Sequence, residues 1–206
     1  MITQTTTING PRGPMQTYVA RLDDTRRPAV IVLEGIYGFD DELKRITDLV
    51  ASGFHTETMH DDIALTRDWL NDQPYVAHGK IAAWGFGVGG AVAFIAATIP
   101  GIDAAIAFYG QSITKGLPDG GDAPIKDADK IHAPLLLVYG GADTQITGAE
   151  IDRIRTRLNA AGKTADVQIY PTVGHSFFRQ DLGTIASREI ADAWGRVTAF
   201  LRKSFA

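Results

Sequence analysis

Cysteine is absent from the 206 residues. Its absence excludes disulfides, Cys-ligated metal centres and a cysteine nucleophile. No apolar run is long enough for a transmembrane helix, and the opening "MITQTTTING" is too polar for a secretory signal. Neither membrane insertion nor export is expected, and a cytoplasmic location is. No cluster of Lys or Arg stands out and the net charge is −4, so a nucleic-acid partner is not expected. Internal repeats, low-complexity tracts and interdomain linkers are also missing. What is present is ordinary for a globular protein: 45% apolar and 21% charged residues. The length suits a single domain, 1–206, large enough to bury a core.

Strands and helices alternate along the chain. "TTTI" and "MQTYVARL" (15–22) flank the turn cluster "NGPRGP" and are expected to pair antiparallel. "PAVIVLEG" (28–35) is a continuous apolar run, the pattern of a strand buried on both faces. In "DDELKRITDLVASG" (40–53), Leu43, Ile46, Leu49 and Val50 recur at helical spacing. Further helices are expected over 60–72, 88–99, 147–162 and 184–205, and strands over 80–85, 104–110, 134–141 and 165–170. This alternation predicts an α/β fold: a mostly parallel sheet with helices on both faces and an antiparallel N-terminal pair. Ligands of such sheets sit beyond the C-terminal ends of the strands. The Gly/Asp-rich loop at 116–130 is the expected site of mobility. One segment breaks the pattern. "FHTETMH" (54–60) stands where a buried strand is due, yet it is polar; either it forms a short irregular strand or the connection is truncated.

The most informative stretch is "KIAAWGFGVGGAVAF" (80–94). Gly85, Gly87 and Gly90 spell G-x-G-x-x-G, a dinucleotide-binding fingerprint. That reading requires an acid at the end of the following strand to hold the ribose. The strand "AAIAFYG" ends in Tyr109-Gly110, and the nearest acid, Asp103, lies at its start. The alternative is a nucleophile elbow, the strand–turn–helix of α/β-hydrolases, whose chain order is nucleophile, acid, histidine. "LLLVYGGADTQIT" puts Asp143 just past a strand end, and "VQIYPTVGHSFF" puts His175 just past the last strand. Order and face agree with the elbow.

These residues, together with "VLEGIYG", "GFGVGGAVA", "FYG", "YGGADTQIT" and "GHSFFR", resemble the dienelactone hydrolases from Ala29 to the C-terminus. The resemblance implies an α/β-hydrolase fold, no cofactor, and cleavage of ester or lactone bonds by a Cys or Ser in G-x-C-x-G-G. It assigns Asp143 as orienting acid and His175 as general base. The backbone N–H groups of Ile36 and Val88 match the oxyanion hole, and Ser176 and Arg179 match residues that hold a substrate carboxylate. Arg suits that role because its planar fork pairs bidentately with a carboxylate. Tyr37 and Phe86 complete the substrate-contacting candidates. There are three departures. The nucleophile position is Gly87. The carboxylate expected beside the elbow falls at Gly35, with Glu34 one residue early. A proline-aspartate strand that lies inside the family's sheet is missing between Phe54 and Asp61.

Gly87 has no side chain to form a covalent intermediate. It either relaxes a strained turn or leaves room for a water that His175 activates. Trp84, Phe86, Phe108 and Tyr109 flank the turn and read first as core, and the Trp84 N–H needs a partner if buried. His55, Glu57, His60, Asp61 and Asp62 match no metal motif; Asp61 and Asp62 read as helix cap and dipole partners, and no metal is expected. The leading functional reading is a hydrolase of small carboxylate-bearing esters or lactones, with activity weakened, lost or water-directed. A non-catalytic binder of small carboxylic acids comes second. A chain whose natural Cys or Ser at 87 has been replaced comes third, and a dinucleotide-dependent oxidoreductase last. The expected partner is a small ester, lactone or carboxylate, and the chain is expected to be a monomer or small homo-oligomer.

Overall fold

A computed structural model describes residues 2–10, 13–33, 56–116, 121–178 and 187–206. Strands β1 (Ile2–Gly10) and β2 (Gly13–Arg21) pair antiparallel, from Ile2↔Arg21 to Gly10↔Gly13. Their residues alternate in exposure, and Ile8 is buried where Tyr18 is open to solvent. This pair forms its own two-stranded sheet. The main sheet holds β3 (Arg27–Leu33), β4 (Val76–Phe86), β5 (Ala104–Phe108), β6 (Leu135–Gly140) and β7 (Ala165–Tyr170) in sequential order. All four pairings are parallel. The connecting helices are α1 (Thr56–Asn71), α2 (Val88–Ala96), α3 (Gly148–Ala160) and α4 (Ser187–Ser204), with a 3-10 helix at Pro124–Lys130. The expected α/β architecture and antiparallel N-terminal pair are therefore present.

Burial explains the pattern. Every residue of β5 and β6 is buried, as expected for parallel strands covered on both faces. Helix α2 is buried along its whole length, which only an all-apolar sequence such as "VGGAVAFIA" can bear. One core cluster runs from Trp84 and Phe108 through β6 to Ile151, Ile154 and Val197. A second lies among Ile63, Ile81, Ala83, Val92 and Ile102. No helix among the described residues is long and apolar enough to cross a membrane.

Several expectations need correction. β3 is not buried on both faces: Val30 is 37% and Val32 52% exposed, while Ala29, Ile31 and Leu33 pack on the second cluster. Among the described strands β3 stands at the end of the sheet and pairs with β4, and its alternate residues face the second cluster. Residues 56–60 form no strand; they are the first turn and more of α1. Met59, Ile63 and Leu70 put one side of that helix on the second cluster, and this 3.6-residue spacing outweighs the strand that the alternation called for. Asp61 and Asp62 consequently sit in the second turn of α1 rather than at its cap. In the loop expected to be mobile, Pro124–Lys130 is helical, with Pro124 and Ala128 buried. Arg157 on α3 donates to the Lys126 carbonyl there. The helix expected over 40–53 lies outside the described residues.

Candidate active site

The glycine turn joins β4 to α2, and each glycine has a different physical reason. A Cβ on Gly85 would lie 1.8 Å from the Gly89 carbonyl oxygen, and one on Gly90 2.7 Å from the Gly110 Cα. Those positions must be glycine so that the turn can close on itself and on the neighbouring strand. At Gly87 a Cβ would meet nothing within 4 Å. Its requirement is angular: φ is 57° and ψ −121°, a conformation that strains any L-residue with a side chain. The turn is pinned on both sides. Gly87 N–H donates to the Phe108 carbonyl at 3.1 Å, and Gln111 N–H donates to the Gly87 carbonyl at 3.0 Å. Val88 follows as the first residue of α2, where a backbone N–H has no intrahelical acceptor and the helix dipole favours negative charge. Asp103, the acid nearest the dinucleotide requirement, precedes β5, and its Oδ2 accepts the Ile81 N–H at 2.9 Å. It belongs to the opposite end of the sheet.

β6 and β7 are neighbours that end in register at Gly140↔Tyr170, so the loops after them meet. Asp143 comes from the first loop and His175 from the second. His175 Nδ1 donates to Asp143 Oδ2 at 2.7 Å. Asp143 Oδ1 accepts the N–H groups of Gln145 at 2.7 Å and Ile146 at 3.1 Å. The carboxylate is completely buried and the imidazole 16% exposed. Burial alone pushes the Asp143 carboxyl up. The His175 hydrogen bond and the Ile146 and Gln145 amides outweigh it and hold the group below the ordinary aspartate value. An ionised Asp143 fixes the proton on Nδ1, so Nε2 is left with its lone pair, the arrangement a general base needs.

Among the described residues, Tyr109 (φ 39°), Ser112 (φ 66°) and Ser176 (φ 56°) are the non-glycine positions with positive φ. All three lie in the loops after β5 and β7, beside the dyad. Strained backbone gathered at one place is a mark of a functional site. The Tyr109 ring centroid is 5.2 Å from that of His175.

Gln111 escaped the sequence reading. Its side-chain Nε2 is 3.1 Å from His175 Nε2, and it also donates to Gln145 Oε1. The signal was available: a polar residue directly after the strand end "FYG". Its loop is tied down further along, where the Thr114 hydroxyl donates to buried Glu150 at 2.8 Å and Lys115 Nζ meets the other oxygen at 2.9 Å.

The remaining candidates divide as follows. Ser176 adjoins His175 and is partly exposed. Phe86 stacks on Phe178 at 5.8 Å and meets Phe108 edge-on at 5.4 Å. The Phe86 ring is 6.1 Å from that of Tyr109, so it stands one ring removed from His175. Trp84 is enclosed by Phe86, Phe108, Phe178 and Trp194, all with ring centroids within 5.9 Å. Contrary to expectation, its Nε1 has no hydrogen-bond partner among the described residues. Glu34, Ile36, Tyr37 and Arg179 lie outside the described residues. His60 Nε2 lies 3.3 Å from Thr98 Oγ1, and the described residues bring no three potential metal ligands together.

Comparison with known proteins agrees with this fold. The family model described as "Dienelactone hydrolase family" matches residues 51–205. A protein of Methylorubrum extorquens, provisionally named carboxymethylenebutenolidase, is 33% identical over 125 residues, 60% of this chain and 43% of that protein. The chain thus spans less than half the length of that relative. A Synechocystis sp. protein of the same provisional name is 24% identical over 205 residues, 82% of this chain and 83% of its own. A solved structure from Klebsiella pneumoniae, provisionally assigned as a dienelactone hydrolase, superposes with a TM-score of 0.85 over 98% of each chain, at 22% identity. At that identity the likeness speaks for the fold.

Proposed function

The chain belongs to the dienelactone hydrolase family, and from that premise we propose that its site acts on the ester or lactone bond of a small carboxylate-bearing molecule without a covalent intermediate. The observation that carries the reading is the 2.7 Å His175–Asp143 pair beside an elbow that keeps φ 57° and ψ −121° with no side chain on it. The attacking atom is then a water oxygen. His175 Nε2 takes the proton of that water as its oxygen bonds to the acyl carbon. The carbonyl oxygen gains negative charge and is met by the Val88 N–H at the start of α2, joined by the Ile36 N–H that the family pattern assigns. When the acyl C–O bond breaks, the imidazolium returns the proton to the leaving oxygen. Asp143 stays ionised throughout and steadies the imidazolium. Ser176 and Arg179 are the proposed hold on the substrate carboxylate.

Without the covalent step this chemistry is slow. Triad enzymes stripped of a member keep roughly 10³–10⁴-fold acceleration over water from the oxyanion hole and binding, and that is the range proposed here. A second reading, a carboxylate binder that turns nothing over, is favoured by one observation: the Gln111 amide lies against His175 Nε2.

The test is hydrolysis of an activated ester or enol-lactone by the protein, by Gly87→Cys and by Gly87→Ser, each with and without His175→Ala. Open space at the Gly87 Cβ position lets either side chain enter. Gly87→Cys should raise activity at least about tenfold, and the gain should vanish with His175→Ala. If neither replacement gains activity, the elbow assignment is wrong. Fast hydrolysis by the parent, slowed by Gly87→Cys, would instead favour an efficient water mechanism.

A further inference from the structure

General-base chemistry at this site depends on one lone pair, and a side chain outside the triad pattern already occupies it. His175 gives its Nδ1 proton to Asp143 at 2.7 Å, which leaves Nε2 as an acceptor. Gln111 Nε2 stands 3.1 Å away and directs its other hydrogen to Gln145 Oε1. An imidazole nitrogen has a single in-plane lone pair, so a water cannot present its proton there while the amide does. We propose that Gln111 is a latch on the general base: its amide holds His175 Nε2 in the resting site and must rotate away before His175 can take a proton. This inference rests on the reading of His175 as the base.

The surroundings suit a latch that moves by its side chain alone. The Gln111 backbone is fixed to the elbow through its 3.0 Å bond to the Gly87 carbonyl. The next residues are held by the 3.2 Å bond from Gly116 N–H to the Ser112 carbonyl and by the Thr114–Glu150 bond. The side chain is partly exposed, and such side chains change rotamer in picoseconds to nanoseconds. Two hydrogen bonds restrain it, each worth roughly fivefold in population, so the open form is a minor one. Gln111 is thus a positioning residue, acting through His175.

The latch can be read without turnover, by the rate at which diethyl pyrocarbonate acylates His175, followed by peptide mass mapping. That reagent attacks an unprotonated imidazole nitrogen whose lone pair is free. Exposed His132 serves as the reference, and half-buried His60 reports any loosening of the fold. Gln111→Ala should speed acylation of His175 by roughly fivefold or more relative to His132, with His60 unchanged. Gln145→Ala removes one of the two restraints and should give a smaller increase. An unchanged His175 rate in Gln111→Ala overturns the proposal; if that variant does not fold, an unchanged rate in Gln145→Ala does so. Ester turnover is measured alongside. Faster acylation with no turnover in any variant keeps the latch and removes the hydrolase reading. Turnover with unchanged acylation removes the latch alone.

Discussion

Asp143→Asn separates the charge of the dyad from its shape. The Asn amide oxygen can keep the two backbone N–H bonds that Asp143 Oδ1 now accepts, from Gln145 and Ile146. Its NH2 group then faces His175 Nδ1, so the imidazole must move its proton to Nε2. There it meets another donor, the Gln111 amide, 3.1 Å away. The variant therefore loses one charge-assisted hydrogen bond, worth about 1.5–3 kcal/mol, and gains a donor–donor conflict. For a chain of this size a loss of about 2 kcal/mol lowers Tm by roughly 4–8 °C. Circular dichroism melts at pH 7 give the comparison. The folded Asp143 carboxyl lies below its ordinary value, so its contribution is complete above the unfolded aspartate pKa and fades as pH falls through the folded one. The Tm gap between wild type and Asp143→Asn should accordingly hold at neutral pH and narrow below about pH 4. An Asn variant as stable as wild type at pH 7, or a gap that does not narrow in acid, would refute the assignment of a buried ionised Asp143. In the Gly87→Cys background, the same change should abolish the gained activity, because the wrong tautomer faces the nucleophile.

Two stability comparisons follow from the packing. Gly85→Ala places a Cβ 1.8 Å from the Gly89 carbonyl and should cost at least about 4 kcal/mol or prevent folding, whereas Gly87→Ala meets no atom within 4 Å and should cost only about 1–2 kcal/mol for its positive φ. Urea titration of the two variants ranks them, and equal losses would disprove the distinct reasons given for the two glycines. Glu150→Ala removes the anchor of the loop carrying Gln111, since Glu150 is 3% exposed and bonds both Thr114 and Lys115. It should cost about 1–3 kcal/mol and raise hydrogen exchange across 111–116, while a change confined to α3 would exclude the anchoring role.

Much of this molecule was legible because its signals are local. Strand ends that deliver Asp143 and His175 are marked by "LLLVYGG" and "VQIYP", and their adjacency follows from parallel alternation. The steric glycines are visible as a dense G-x-G-x-G-G cluster, and Gly87 stands out only against the hydrolase order. The misses are tertiary. β3 reads as buried on both faces because Val30 and Val32 are apolar, and no sequence pattern says that β3 stands at the end of the described sheet with those two residues exposed. The alternation asks for a strand in 54–60, or a truncated connection, whereas the Met59, Ile63 and Leu70 spacing puts 56–60 in a helix. Gln111 carries only a weak local signal, because a glutamine in a loop is ordinarily solvated. Its importance comes from the approach of a histidine 64 positions later.

Gly87 relieves strain at one position of the site, yet the strain nearby is retained. Tyr109, Ser112 and Ser176 keep positive φ without being glycine, at about 1–3 kcal/mol each. Two of them are held there by specific bonds: Tyr109 N–H to the Val138 carbonyl at 2.7 Å and Gly116 N–H to the Ser112 carbonyl at 3.2 Å. Asp143 likewise remains a buried carboxylate, held by hydrogen bonds rather than replaced by an apolar residue. The backbone strain opposes folding and is compensated by the buried α2 and β5–β6 core. The glycine at 87 therefore stands in a frame that keeps its strained backbone. A frame with that much residual strain favours a site that still binds and orients a ligand over one that merely fills space, and it explains why a side chain restored at 87 should find its partners already in position.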